Sequence, residues 1–180
     1  YSHLADEKSR VTFENTVNFK LSGEPEYLYR CEVLQDEPYN SFLTLGKAEN
    51  YLDLGAYNGD TALEFAARVE EYKSITAVEP DKKSFKKLTA NTACLENITL
   101  INAIVGEKSG NAEFSAHKGR GSGVGAGEYC RMISVDALNG DFSFIKADVE
   151  GSEVQTIKGA ENTILRCRPK MQIACYHRTG

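Results

Sequence analysis

The stretch that decides the fold is Tyr51-Leu52-Asp53-Leu54-Gly55-Ala56-Tyr57-Asn58-Gly59-Asp60-Thr61, followed further along the chain by Ala77-Val78-Glu79-Pro80. In the first segment a short apolar strand leads into a turn with two glycines, and glycine lets backbone N–H groups come close to a ligand. In the second segment a strand ends at Glu79, a carboxylate suited to the hydroxyl groups of a ribose. Together the two segments predict a crevice for a nucleoside-containing cofactor.

From Tyr51 onward, short apolar strands alternate with amphipathic helices, which is typical of parallel βαβ units in an α/β fold. We predict five strands, at residues 50–54, 74–79, 98–105, 142–147 and 171–176. Helices are predicted from about Asp60, after Asp81 as the cap, and close behind Ser152, the last of them ending just before Pro169.

Other short polar residues mark where helices are expected to begin. Thr61 and Glu64 have the spacing of a capping box, as do Ser152 and Gln155. Asp136 follows an extended segment and is predicted to cap a short helical turn at that point.

Residues 1–49 differ from the rest of the chain. Acidic and amide residues surround a helical pattern in which Phe13, Val17 and Leu21 recur at i, i+4 and i+8. Gly23-Glu24-Pro25 marks the end of that helix. We therefore predict an N-terminal helical cap at 1–49 and an α/β domain at 50–180.

Glycines occupy every second position from Gly119 to Gly127 and interrupt the alternation of strands and helices. Around them, residues 111–116 and 131–135 predict two extended segments that form a hairpin inserted among the βα units. Two interpretations of the glycine loop stay open: a solvated connector, or a lid over an acceptor in which Arg120 holds an anion.

The composition of the 180 residues, 41% hydrophobic and 26% charged, is that of a globular protein, and the net charge of -5 argues against a nucleic-acid interface. The five cysteines include no Cys-x-x-Cys pair and the three histidines lack metal-ligand spacing, so a metal site is not expected and a reducing compartment is favoured. No apolar run is long enough to cross a membrane, and no signal segment is recognisable. We expect a cytoplasmic protein whose partner is a small molecule, not nucleic acid or a membrane.

The turn favours one class of nucleoside cofactor. A nicotinamide dinucleotide site usually carries Gly-x-Gly-x-x-Gly, whereas the turn from Gly55 to Gly59 lacks the middle glycine, which disfavours a pyrophosphate. The carboxylate of Asp53 suits instead the ammonium end of an amino-acid-bearing cofactor such as S-adenosylmethionine, with Glu79 at its ribose. Two more carboxylates, Asp148 and Glu150, follow the fourth predicted strand and are expected at the same edge of a parallel sheet.

Four motifs make the chain resemble the FkbM-type S-adenosylmethionine-dependent methyltransferases. They are Asp53-Leu54-Gly55-Ala56-Tyr57-Asn58-Gly59-Asp60-Thr61, Val78-Glu79-Pro80, Ser134-Val135-Asp136-Ala137-Leu138 and, most specific, Ile145-Lys146-Ala147-Asp148-Val149-Glu150-Gly151-Ser152-Glu153. With the segment from Pro169 to His177, the resemblance covers residues 51–177.

The resemblance implies a Rossmann-like class I methyltransferase fold, a mostly parallel sheet with helices on both faces. Such folds usually continue into two further strands that nothing after Gly180 supplies, so we expect a sheet without them. The resemblance also implies cofactor contacts, and the predicted set is Asp53, Gly55, Ala56 and Gly59 at the methionine part, Glu79 at the ribose, and in addition Tyr57, Asn58, Thr61 and Asp148. Tyr57 and Asn58 are expected to shape the turn more than to contact the cofactor.

The acceptor implied by the resemblance is typically a hydroxyl group, here expected on a small molecule such as a sugar or a polyketide-like product. Asp148 and Glu150 are the predicted catalytic residues, which take the hydroxyl proton or stabilise the sulfonium, and His177 is a second candidate base. Glu150 has an alternative role in stabilising a helix N-terminus. Two other functions stay open: a module that binds a nucleoside cofactor without catalysis and, less favoured, a nicotinamide-dependent oxidoreductase.

Overall fold

The computed structural model describes residues 3–4, 6–31, 43–115, 123–124 and 128–175. The chain divides into two compact units, residues 1–41 and residues 42–180. The sequence places its boundary at residue 49. Among the described residues, no helix combines the length and the apolar character that crossing a membrane requires.

The N-terminal unit contains two helices, α1 (Glu7–Ser22) and α2 (Glu26–Tyr29). The side chain of Asp6 accepts a hydrogen bond from a backbone N–H of the first turn of α1, and Gly23 ends the helix at φ +75°. The predicted N-terminal helix is therefore present. Its apolar residues remain partly exposed: Phe13, Val17 and Leu21.

The second unit contains nine strands and five helices within the residues that the structure describes. The strands are β1 (Asn50–Leu54), β2 (Ser74–Val78), β3 (Ile98–Ile101), β4 (Ile104–Val105), β5 (Gly110–Ser115), β6 (Gly123–Val124), β7 (Glu128–Ile133), β8 (Phe144–Ala147) and β9 (Lys170–Ile173). The helices are α3 (Asp60–Arg68), α4 (Lys82–Asn91), α5 (Val135–Leu138), α6 (Glu153–Lys158) and α7 (Glu161–Cys167).

Five strands form a wholly parallel sheet in the order β3-β2-β1-β8-β9. The chain builds outward from β1 to β3 on one side and then returns to place β8 on the other side of β1. The strand order therefore reverses between β1 and β8, and ligands of such sheets bind outside the carboxyl ends of the strands at this point. This topology confirms the predicted Rossmann-like fold.

The alternation of side chains along β1 buries both faces of the sheet. On one face Tyr51 stacks on Phe65 of α3 and on Phe144 of β8, with ring centroids 4.3 and 4.8 Å apart. On the other face Leu52 belongs to an apolar cluster against which Ile164 of α7 packs. Helices cover both faces, as predicted.

The second sheet has the order β4-β7-β5-β6. Strands β5 and β7 pair antiparallel, which confirms the predicted hairpin, and β4 joins β7 in parallel. Most of the glycine loop, with Arg120, lies outside the described residues. The prediction of a single strand at 98–105 is wrong. The strand is interrupted at Asn102, and its two parts, β3 and β4, belong to different sheets. The side-chain amide of Asn102 donates to the carbonyl oxygens of Glu79 and Pro80 at 2.8 and 3.0 Å.

Two predicted capping boxes are absent. The N-cap of α3 is Gly59, which has no side chain to accept a hydrogen bond, and Thr61 lies inside the helix. Ser152 is the N-cap of α6 but accepts no side-chain hydrogen bond there. In contrast, Asp81 caps α4 as predicted and accepts from the backbone N–H of Ser84 at 2.8 Å.

The last helical region also differs from the prediction. In place of one helix between Ser152 and Pro169 there are two, α6 and α7. Asp136 lies inside α5, where Ser134 is the N-cap, and its carboxylate instead accepts hydrogen bonds from the backbone N–H groups of Asn162 and Thr163 in the first turn of α7. Asp136 thus caps a helix that follows it far along the chain, which its local sequence does not indicate.

Candidate cofactor site

A buried ion pair crosses the carboxyl ends of β1 and β8. Asp53 and Lys146 are partners in the strand register, so their side chains lie on the same face of the sheet. The Nζ atom of Lys146 is 3.0 Å from Oδ1 of Asp53, and the two side chains are 4% and 0% exposed. The Lys146 ammonium group also donates to the carbonyl oxygen of Gly55 at 3.0 Å, and the Thr61 hydroxyl donates to Oδ2 of Asp53 at 2.6 Å. Oδ2 of Asp53 therefore accepts a hydrogen bond, whereas Oδ1 forms no hydrogen bond among the described residues and lies against the ammonium charge of Lys146.

The turn after β1 is held by hydrogen bonds from its own backbone. The N–H groups of Gly55 and Ala56 both donate to the carbonyl oxygen of Val78, at 3.0 and 3.1 Å. The next N–H group, that of Tyr57, donates to Oε2 of Glu79 at 2.9 Å. The first N–H groups of the turn, which the sequence suggested for a ligand, thus bind the end of β2.

Glu79 follows β2 and is only 7% exposed. Its Oε2 accepts from Tyr57 N, and its Oε1 accepts from Asp81 N at 2.8 Å. Burial raises the pKa of Glu79 from 4.5 to about 7, against the N–H groups of Asp81 and Tyr57, which lower it. The charge of Asp81 raises the same pKa further, and the charge of Lys146 lowers it. Glu79 is thus a nearly enclosed carboxyl group directly beside the turn.

Asp148 and Glu150 follow β8, at the same edge of the sheet. The backbone N–H of Asp148 donates to the carbonyl oxygen of Leu54 at 2.9 Å, so the end of β8 is fixed to the end of β1. Asp148 and Glu150 are both half-buried. Glu150 has φ +53° and Gly151 has φ +100°, so the chain turns sharply here before α6 begins.

The family model for the methyltransferase FkbM domain matches residues 53–179. This range covers most of the chain and contains Asp53, Glu79, Asp148 and Glu150. The chain belongs to the FkbM methyltransferase family.

Among solved structures, that of methyltransferase FkbM from Methylobacillus flagellatus KT is similar to this chain, with a TM-score of 0.84 and 25% sequence identity. The match covers 98% of this chain and 46% of that one, so the chain spans about half the length of its relative. The comparison with curated proteins finds no match.

Two more distant structures also match. Precorrin-6y C5,15-methyltransferase from Geobacter metallireducens GS-15 has a TM-score of 0.47 at 17% identity, over 68% of this chain and 51% of that one. A phosphoethanolamine N-methyltransferase of Haemonchus contortus, solved with phosphoethanolamine and S-adenosylhomocysteine, has a TM-score of 0.39 at 11% identity, over 94% of this chain and 31% of that one. At these scores neither match bears on the site.

In this FkbM-family chain, the residues between the two glycines of the turn have structural partners. The carbonyl oxygen of Asn58 accepts from the side-chain amide of Asn91 at 2.8 Å, and Oδ1 of Asn58 accepts from Asp60 N at 3.2 Å. Tyr57 has φ +47° and a side chain that is 54% exposed. Both residues shape the turn, and their contact with a cofactor stays a prediction.

Two residues of this region were missed from the sequence. Lys146 is the lone charge in the apolar strand that the sequence predicts at 142–147, and this is a signal that marks it, because a lysine is rarely buried unless it is paired. Asn102 gave no such signal. His177 lies outside the described residues, within which no group of three or more potential metal ligands occurs.

Proposed function

We propose that this chain binds S-adenosylmethionine and belongs to an enzyme that transfers the methyl group to a hydroxyl oxygen of a small molecule, such as a sugar or a polyketide-like product. Membership of the FkbM methyltransferase family supports methyl transfer. The observation that carries the proposal is the position of Glu79, an enclosed carboxyl group beside the turn, at the carboxyl end of β2 and next to the switch point.

The hydrogen-bond acceptors at this edge of the sheet fit a ribose. Each oxygen of the Glu79 carboxylate accepts one backbone N–H, from Asp81 and from Tyr57, and a carboxylate oxygen can accept a second hydrogen bond. Two ribose hydroxyls are suitable donors for the remaining acceptor positions. Asn102 holds the carbonyl oxygen of Glu79, so the backbone that carries this carboxyl group is fixed.

Asp53 has a different position from the one that a direct ligand contact needs. Its carboxylate is fully buried and shared between Lys146 and Thr61. Because the Asp53 side chain is fully enclosed, a direct contact with the ammonium group of the cofactor requires the surrounding residues to move. We therefore propose that Asp53 supports the turn, and that Glu79 and the backbone of the turn form the contact surface.

S-adenosylmethionine, when bound, supplies a methyl group activated by a positively charged sulfur. The chain's own contribution is to align the acceptor and to remove its proton, because an in-line displacement depends on positioning. Asp148 is half-buried at the end of β8 and is the proposed base, and Glu150 is the second carboxylate at this edge. Their negative charges also favour a cationic centre nearby.

Binding is tested by thermal unfolding with S-adenosylmethionine, S-adenosylhomocysteine or NAD. We expect a rise in Tm of about 5–10 °C at a hundred times Kd with either adenosyl compound, because a ligand that binds only the folded state stabilises it. NAD should give no rise, and a rise with NAD alone would favour an oxidoreductase.

Glu79→Ala should remove most of that ligand-induced rise. The matched control is Glu49→Ala, since Glu49 is also a buried glutamate but lies just before β1, at the opposite end of the sheet, where it binds Lys170 at 2.6 Å. A full ligand response in Glu79→Ala would show that the ribose assignment is wrong.

Catalysis is tested by methyl transfer to a panel of hydroxylated acceptors. Asp148→Asn should turn over more slowly at saturating S-adenosylmethionine, whereas equal turnover would exclude Asp148 as the base. Binding without any turnover would favour a non-catalytic module.

All five cysteines are free, which supports the proposal of a reducing compartment such as the cytoplasm.

A further inference from the structure

Lys146 is a buried, charged residue in a strand whose other residues are apolar. The residues before and after it, Ile145 and Ala147, belong to an apolar cluster on one face, and Phe144 packs on the other. Removing an ammonium group from water is costly, and a buried ion pair is often replaceable by apolar residues without loss of stability. The stability of the sheet alone therefore does not explain a buried lysine at this position.

Two contacts of the Lys146 ammonium group lead to the candidate site. Its Nζ is 3.0 Å from Oδ1 of Asp53 and donates to the carbonyl oxygen of Gly55, also at 3.0 Å. That oxygen belongs to the peptide group between Gly55 and Ala56. The N–H of the same peptide group donates to the carbonyl oxygen of Val78 at 3.1 Å.

This peptide group is thus held at both ends by different strands. Lys146 binds its oxygen from β8, and Val78 binds its N–H from β2. A peptide group is planar, so fixing both of its polar atoms fixes its orientation. The direction in which the turn leaves β1, and with it the position of Tyr57 N against Glu79, depends on this arrangement.

We propose that Lys146 is a positioning residue of the cofactor site, which holds the first peptide group of the turn against the sheet so that the turn and Glu79 face a ligand together. The inference rests on the proposed function for the identity of that ligand. The charge of Lys146 acts in the same direction, because it favours the ionised form of Glu79 that accepts ribose hydroxyls, against the opposing charge of Asp81.

The first test is amide hydrogen exchange of the ligand-free protein, followed by NMR, in Lys146→Met. We expect the Ala56 amide to exchange at least about tenfold faster, since a hydrogen bond from a charged donor is lost and the turn opens more often. This readout requires no cofactor, so it remains informative if the protein binds a different ligand.

The matched control is Lys170→Met. Lys170 pairs with the buried Glu49, at the opposite end of the same sheet, with 2.6 Å between Nζ and Oε1. Lys170→Met should leave the exchange of Ala56 unchanged. Faster exchange that is uniform across the sheet in Lys146→Met would show general loosening, and it would overturn the proposal, as would unchanged exchange at Ala56.

The second test is the Kd for S-adenosylhomocysteine as a function of pH. Lys146→Met should weaken binding at least about tenfold at neutral pH and move the acid limb of the binding profile to higher pH, because the charge that favours ionised Glu79 is gone. Lys170→Met should shift neither. If the unmodified chain does not bind this ligand, the proposed function fails while the exchange result still decides the positioning role.

Lys146→Met leaves Asp53 buried without its cationic partner and is at risk of not folding. The double substitution Asp53→Leu with Lys146→Met removes both charges and is the second variant. Its Ala56 amide should still exchange about tenfold faster, because the donor to the Gly55 oxygen is missing. Exchange as slow as in the unmodified chain would overturn the proposal.

Discussion

The carbonyl oxygen of Asp148 occupies the space that a side chain at position 55 would need. A Cβ atom on Gly55 would lie 1.9 Å from that oxygen and 2.9 Å from the carbonyl carbon. Gly55 also has φ +78°, a conformation that other residues rarely adopt. The first glycine of the turn is therefore required by the close approach of two strand ends, β1 and β8, at the point where the strand order reverses.

Gly55→Ala should destabilise the protein by about 2–5 kcal/mol, from a left-handed conformation and an overpacked contact together. Urea unfolding measures the loss. Gly151→Ala is the control, because Gly151 has φ +100° but nothing within 4 Å of a Cβ, so only the conformational cost of about 1–2 kcal/mol applies. Equal losses in the two variants would mean that the contact with Asp148 relaxes freely.

Glu79 should make stability depend on pH in the direction opposite to that of a salt-bridged acid. Its pKa in the folded protein is about 7 and the usual value is 4.5, so the folded state holds the proton more tightly than the unfolded chain. Its contribution is therefore fully present below pH 4.5 and is lost as the pH rises to about 7, with a span of roughly 3 kcal/mol.

The glutamine side chain in Glu79→Gln cannot ionise. The free energy of unfolding of this variant should therefore not show the decrease between pH 4.5 and 7 that is expected of the unmodified chain. The measurement is urea unfolding at half-unit pH intervals in both proteins. Parallel stability curves would contradict the assignment of the raised pKa to Glu79.

Thr61 was predicted as a cofactor contact, and the structure gives its hydroxyl to Asp53 at 2.6 Å. Thr61→Val leaves a buried carboxylate oxygen without this donor, so a loss of about 1–3 kcal/mol is expected. Thr61→Ser keeps the hydroxyl and should lose less. Thr89→Val serves as the control, since the Thr89 hydroxyl bonds only within an exposed part of α4, and a change within about 0.5 kcal/mol is expected there.

The features that the sequence predicted correctly are those that depend on the periodic spacing of apolar residues and on local turn residues. Apolar runs separated by amphipathic helices identified the strands of the main sheet, and the glycine turn with Glu79 identified the edge at which polar groups meet. These signals are local, because alternation and turn chemistry depend on neighbouring residues.

Several of the errors concern contacts between distant parts of the chain. The pair of Asp53 with Lys146 and the capping of α7 by Asp136 join residues that only the folded topology brings together. The break between β3 and β4 has the same origin, because the segment from Ile98 to Val105 is mostly apolar and the side-chain amide of Asn102 donates to Glu79 and Pro80, which directly follow β2. An isolated charge in an apolar strand indicates that such a contact exists, but the neighbouring sequence does not identify the partner residue.

The capping role of Asp136 can be tested separately from the site. Its carboxylate accepts from the backbone N–H groups of Asn162 and Thr163 and from both of their side chains, at 2.7–3.2 Å. Asp136→Ala should therefore cost about 2 kcal/mol, at the upper end for a helix cap, and Asp81→Ala, which removes the cap of α4, should cost about 1 kcal/mol.

Burial raises the pKa of Asp136, but the hydrogen bonds from Thr163 and Asn162 outweigh it and hold this pKa below the usual 3.8. The folded pKa is lowered, so the contribution of Asp136 is present above pH 3.8 and is lost as the pH falls below that value. Urea unfolding at pH 7 and pH 3 measures this, and a difference between Asp136→Ala and the unmodified chain that is as large at pH 3 as at pH 7 would contradict capping by the ionised carboxylate.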